Sequence, residues 1–136
     1  MQITSLEQLK SMKQTEIVEL PSFEDGTPFV VEIKKPNMMQ LMVGGKIPNT
    51  LLSVATEMFN GRTAQVMGKA SDDIKTLKEL VGMIEVLAEA SLVKPAYKDI
   101  EKANIELTMD QLMAILTYTQ GGVKALENFR NKQANN

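Results

Sequence analysis

Neither cysteine nor histidine occurs in the 136 residues, and these two absences exclude more chemistry than any motif supplies. Without thiols there are no disulfides, no thiol nucleophile and no cysteine-based zinc site. Without imidazole the commonest general base near neutral pH is missing, and a transition metal would have to rely on carboxylates alone. Tryptophan is also absent, and aromatic residues make up only 4% of the chain. Charge of one sign is lacking as well: fifteen basic against seventeen acidic residues leave a formal net charge of -2. No global field is available to hold a nucleic-acid backbone or an anionic membrane, so neither is expected as a partner. The N-terminal stretch carries polar or charged residues every few positions and has no apolar run suited to a signal peptide or a membrane span. Residence in the cytoplasm is the expectation.

What the chain does have is an ordinary globular balance, 43% hydrophobic and 24% charged, at a length that suits one core and one domain over residues 1–136. Ten methionines stand beside four phenylalanines and two tyrosines, so the apolar surface should be flexible and adaptable.

Periodicity predicts an α+β fold that is predominantly helical, with an N-terminal β-hairpin packed on a bundle of about four to six helices. Thr4 or Ser5 can cap a short helix carrying Leu6, Leu9 and Met12. The hairpin is expected over about residues 15–35, around the Glu24-Asp25-Gly26 turn. On its strands Ile17 alternates with Glu16 and Glu19, and Val31 and Ile33 alternate with Glu32 and Lys34, giving one packed face and one wet face.

Asn37 can cap a helix over 37–43 that Gly44-Gly45 stops. Ile47-Pro48-Asn49 forms a corner, and Asn49 can cap a helix over 50–60 bearing Leu51, Leu52, Ala55, Met58 and Phe59. Residues 62–69 read as a loop weakened by Gly68. The longest helix is expected over about 72–93, beginning at Ser71 with Asp72 and Asp73 in its first turn, and the hairpin is expected to pack across it. Residues 97–106 fit a helical turn or a loop. The capping box Thr108-Met-Asp-Gln111, with Leu107 and Leu112 as a hydrophobic staple, opens a helix over 109–120. Gly121-Gly122 should end it, leaving a last helix over about 122–131 with Val123, Leu126 and Phe129 on one face.

Candidate chemistries reduce to structural features. Gly44-Gly45-Lys46 lacks the upstream glycine, the following Ser or Thr and the preceding buried strand of a phosphate-binding loop. Asp72 and Asp73 read as partners of a helix dipole rather than as magnesium ligands. Tyr97, Lys98 and Asp99 are consecutive, so they diverge on a helix and do not form a catalytic group. Lys10, Lys13, Lys34 and Lys35 have no stacking aromatics and read as a solvated face. No catalytic residue, cofactor or metal is expected, and the chain is read as no enzyme. Met38, Met39, Met42 and Met58 remain, suited either to filling a core poor in aromatics or to a surface that accommodates helical partners.

The order of these motifs adds a resemblance. The hairpin turn at Asp25-Gly26, the run from Met39 through Lys46-Ile-Pro-Asn-Thr-Leu-Leu52, the helix start at Leu107-Thr108 and the closing Leu126-Glu-Asn-Phe-Arg130 together resemble the tail assembly chaperones of long-tailed bacteriophages and prophages. The resemblance implies a nonenzymatic protein that binds the tape measure protein, a long helical chain. It would keep that chain soluble in the host cytoplasm until the tail tube polymerises around it, and would stay out of the mature virion. It also implies a longer frameshifted product that engages the major tail protein, and leaves a homo-oligomer open. Competing readings are a structural tail component retained in the particle and a small host adaptor domain. On the chaperone reading the contact surface is placed at Met39, Met42, Ile47, Pro48, Asn49, Leu51, Leu52, Met58 and Phe59, although Leu51, Leu52 and Phe59 suit a core stripe equally well.

Overall fold

The computed structural model describes residues 1–134. The chain opens with α1 (Leu6–Ser11), capped by Ser5 in a reciprocal box: the Gln8 amide donates to Ser5 Oγ at 3.1 Å, and the Ser5 amide to Gln8 Oε1 at 2.8 Å. None of its residues is buried, and Leu6, Leu9 and Met12 all face solvent. A six-residue helix gains little without packing, so removing residues 1–12 should move the thermal midpoint by no more than about 2 °C. A melt followed by circular dichroism reads this directly.

β1 (Glu16–Leu20) and β2 (Phe29–Ile33) form the expected antiparallel hairpin, paired from Glu16 with Ile33 to Leu20 with Phe29. At its loop Gly26 adopts φ +88° and its N–H donates to the Phe23 carbonyl, while Asp25 Oδ1 accepts from the Thr27 amide at 2.9 Å. Those Thr27 contacts hold the Asp25 carboxyl below its usual value. The inward phase of β1 differs from expectation. The sequence Glu-Ile-Val-Glu-Leu has apolar residues at both parities, and the phase that buries Val18 and Leu20 outweighs the one that would bury Ile17 alone. Ile17 is 78% exposed, and Glu16 turns inward at the rim.

α2 (Met38–Val43) starts as expected at Asn37, whose Oδ1 accepts from the Gln40 amide at 3.1 Å. A 3-10 turn (Asn49–Leu51) then leads into α3 (Leu52–Phe59). Asn49 therefore lies inside the turn and does not cap the helix, whose start has no side-chain cap. Residues 62–69 are no loop. They form most of α4 (Thr63–Ala70), because Val66 and Ala70, four apart, both bury in the core. Gly68 faces open space, and its cost of about 1 kcal/mol is smaller than that gain.

α5 (Ile74–Ser91) is shorter than expected at both ends. Its cap is Asp73 rather than Ser71, and Leu92–Lys94 leaves the helix to become β3, an antiparallel strand on β2 with a register shift at Glu32/Ile33. Pro95 disfavours helical backbone at Lys94, and β2 offers a free edge on that side. α6 (Tyr97–Lys102) follows, and α7 (Met109–Ala134), at 26 residues, is the longest helix. It runs unbroken through Gly121-Gly122, joining the expected helices 109–120 and 122–131. Two helical glycines cost roughly 2 kcal/mol, and burying Leu126 with Phe129 beside it returns a similar amount. Val123 lies outside the described side chains.

Two apolar clusters result, and α5 and α7 supply residues to both. In the first, the sheet's inner face (Val18, Leu20, Phe29, Val31, Ile33, Leu92) packs on Ala114, Ile115, Tyr118 and Leu126 of α7. α5 adds only Ala88, so the hairpin lies on the C-terminal helix rather than across α5 as the sequence suggested. In the second, Val54, Ala55 and Met58 of α3 and Val66 and Ala70 of α4 meet Leu80, Met83, Ile84 and Leu87 of α5 and Leu116 of α7. The architecture is α+β and mainly helical with an N-terminal hairpin, as expected from the sequence.

Candidate partner-binding surface

The nine residues singled out from the sequence divide by burial. Ile47 and Met58 are 4% and 2% exposed and belong to the second cluster, which removes them from any surface a partner could touch. Their burial follows from the chain reversal at Gly45, φ +71°, and from Met58 pointing at α5 with Ala55. Met42, Leu51 and Leu52 are half-buried against the same cluster. Leu51 packs on Gly82 of α5, where an added Cβ would sit 3.3 Å from its Cδ1 and push the leucine away slightly. Met39, Pro48, Asn49 and Phe59 remain exposed, Met39 and Phe59 at 58% and 45%.

A more coherent apolar surface lies on α4, α5 and α7, away from the nine residues. Met67 of α4, Leu77 and Val81 of α5 and Met109 and Met113 of α7 rim a groove of about 250 Å³ floored by Leu80 and Ile84. Among the described residues no charged side chain lines it. Met67, Leu77 and Met109 are each more than a third exposed, and Ile74, one turn before Leu77, is 71% exposed. The signal was present in the sequence as Met109 and Met113, four apart at the start of the best-capped helix. Met67 carries no such signal, because Gly68 gives its segment the look of a loop.

A larger cleft of about 920 Å³ opens between the 3-10 turn, α3, α4 and α5, floored by Leu51, Val54 and Val66. Its walls alternate Lys69, Lys75 and Lys78 with Glu57, Asp73 and Glu79, so it has no dominant sign. Asp73 is committed to capping: the Thr76 hydroxyl and the Lys75 amide donate to it at 2.8 and 3.1 Å and hold its carboxyl below the usual range. Tyr97, Lys98 and Asp99 do not converge. Lys98 pairs with Glu89 at 3.4 Å, while burial, then the charges of Glu85, Glu101 and Glu89, push the Tyr97 phenol up. Among the described residues no group of three carboxylates could hold a metal, and no helix is long and apolar enough to cross a membrane. No family model, curated protein or solved structure matches the chain.

Proposed function

We propose that the chain is a nonenzymatic tail assembly chaperone, which binds the apolar stripe of a long helical tape measure protein and keeps it soluble until the tail tube forms. The observation that carries this reading is the uncharged groove rimmed by Met67, Leu77, Met109 and Met113 on a chain whose remaining surface is of mixed charge. Long helices with apolar stripes associate with one another when left uncovered, and a groove of this kind receives side chains from such a stripe in helix-in-groove fashion. Methionine suits the task because its unbranched side chain repacks around knobs of different shape. A rim that changes conformation easily also favours release, since many weak contacts along one long partner hold it while each alone dissociates readily. Met39 on α2, Phe59 on α3 and the stripe of α1 are further exposed apolar side chains.

The test is a tagged pull-down from cells expressing the surrounding gene cluster, with copurifying chains identified by mass. The expected result is recovery of one very long helical chain. It should be lost in the double variant Leu77→Glu/Met109→Glu, whose fold stays intact because both side chains are already exposed. Each charge set into an apolar contact of this kind should weaken binding by roughly tenfold or more. Recovery of tube or capsid proteins alone would overturn the assignment in favour of a structural tail component.

A further inference from the structure

The fold brings Lys46 beside the adjacent pair Lys34 and Lys35. Lys34 and Lys35 follow β2, where the Lys34 amide donates to the Ser91 carbonyl at 2.9 Å and ties the strand's end to the end of α5. Lys46 returns to the same place because the chain reverses at Gly44-Gly45, and its amide donates to the Leu41 carbonyl at 3.2 Å. All three line one cleft of about 820 Å³ between the end of β2, α2 and α5. Among the described residues none of these ammoniums has a carboxylate within 4.0 Å. Glu89, the one acid among the described residues that line the cleft, is paired with Lys98 at 3.4 Å. Three lysines thus face one already paired carboxylate in the cleft, an excess of positive charge on a chain whose net charge is -2.

We infer that this cleft is a docking site for an acidic, amphipathic segment of a partner protein. The floor is apolar, formed by Leu41, Val86 and Ala90, which suits an aliphatic side chain flanked by carboxylates. The side-chain amides of Asn37 and Gln40 stand at its edge, where they can meet peptide backbone groups. A nucleic acid is a poorer fit: among the described residues no aromatic lines the cleft to stack on a base, and no arginine lines it to grip a phosphate bidentately. The inference rests on the partner-binding reading and specifies it, because the uncharged groove would hold the apolar stripe while this cleft selects acidic flanks and speeds encounter.

The test titrates the full chain with a labelled peptide bearing a leucine stripe flanked by glutamates, with its glutamine counterpart, and with a single-stranded oligonucleotide of equal charge. The glutamate peptide should bind at least about tenfold more tightly than the glutamine one, and the gap should close as salt rises. Lys34→Glu/Lys35→Glu/Lys46→Glu should abolish that preference while the circular dichroism spectrum is unchanged. Lys34→Gln/Lys35→Gln/Lys46→Gln gives the same reading should charge reversal disturb folding. Equal binding of the two peptides, an unaltered preference in both triple variants, or tighter binding of the oligonucleotide would overturn the inference. In the pull-down, a tape measure protein retained by the glutamine triple variant sinks the cleft alone. Absence of any long helical chain sinks the chaperone reading, while the peptide titration still decides the cleft.

Discussion

Gln111→Glu should destabilise the chain by about 3 kcal/mol, although the two side chains are almost isosteric. Gln111 is fully buried and makes three hydrogen bonds. Its amide nitrogen reaches Thr108 Oγ1 at 3.1 Å and its Oε1 accepts from the Thr108 amide at 2.9 Å, completing the box that starts α7. Its Nε2 donates to the Pro21 carbonyl at 2.9 Å, which joins the helix start to the end of β1. A glutamate keeps the acceptor but loses the donor, and sets a carboxylate against the Pro21 carbonyl in a dry site. Burial of this kind raises a carboxyl's folded-state pKa above its unfolded value. The variant should therefore recover stability as pH falls and the acid protonates, becoming a donor again. Gln111→Met removes both ends of the bridge and should cost about 1–3 kcal/mol with no such pH dependence. Urea unfolding of the three proteins at neutral and acidic pH separates the two effects. A glutamate variant as stable as the parent at neutral pH would show that the Pro21 bridge carries no weight.

The same residue illustrates what could be read from the sequence. The capping box at Thr108 and Gln111 was legible because it is local: two side chains three positions apart and a hydrophobic staple suffice to identify it. The bridge from Gln111 to Pro21 was not, since it joins residues 90 positions apart. Failures elsewhere have the same cause. Gly121-Gly122 and Gly68 are helix breakers by local propensity, and both sit inside helices because Leu126, Val66 and Ala70 bury against distant elements. Alternation around Ile17 pointed to the wrong face of β1, because Val18 and Leu20 on the other parity together bury more apolar surface against α7.

The candidate surface followed this pattern. The methionine excess pointed to an adaptable apolar surface, but periodicity on α3 cannot tell a stripe that faces the core from one that faces a partner. Met58 proved to be the first and Phe59 is exposed. The Met67, Leu77 and Met109 groove joins three helices, one of which the sequence presents as a loop. Likewise Lys34 and Lys46 are ordinary solvated lysines until the fold sets them on one cleft.

Tyr118→Ala should cost about 3–5 kcal/mol, since it empties the largest fully buried side chain from the interface between α7 and the sheet. Tyr118→Phe isolates the hydroxyl, which donates to Glu16 Oε1 at 2.6 Å where β1 meets the rim of the core. Glu16 is exposed and regains water when the bond is lost, so this change should cost only about 1–2 kcal/mol. The pair also predicts an alkaline limit to the fold. Burial first, then the hydrogen bond and charge of Glu16, push the Tyr118 phenol well above its ordinary value of 10.0. The folded state thus holds this proton more tightly than the unfolded chain does. That contribution is fully present below pH 10 and is lost as pH rises through the folded-state value, because the unfolded chain gains stability by ionising while the native one cannot. Tyr97, raised by burial in the same direction, adds to the decline. Urea midpoints measured from pH 8 upward should fall beyond pH 10 in the parent and fall less steeply in Tyr118→Phe. Equal slopes in the two proteins would mean that the phenol ionises as freely in the folded chain as in the unfolded one, and that the contact with Glu16 does not hold the hairpin to α7.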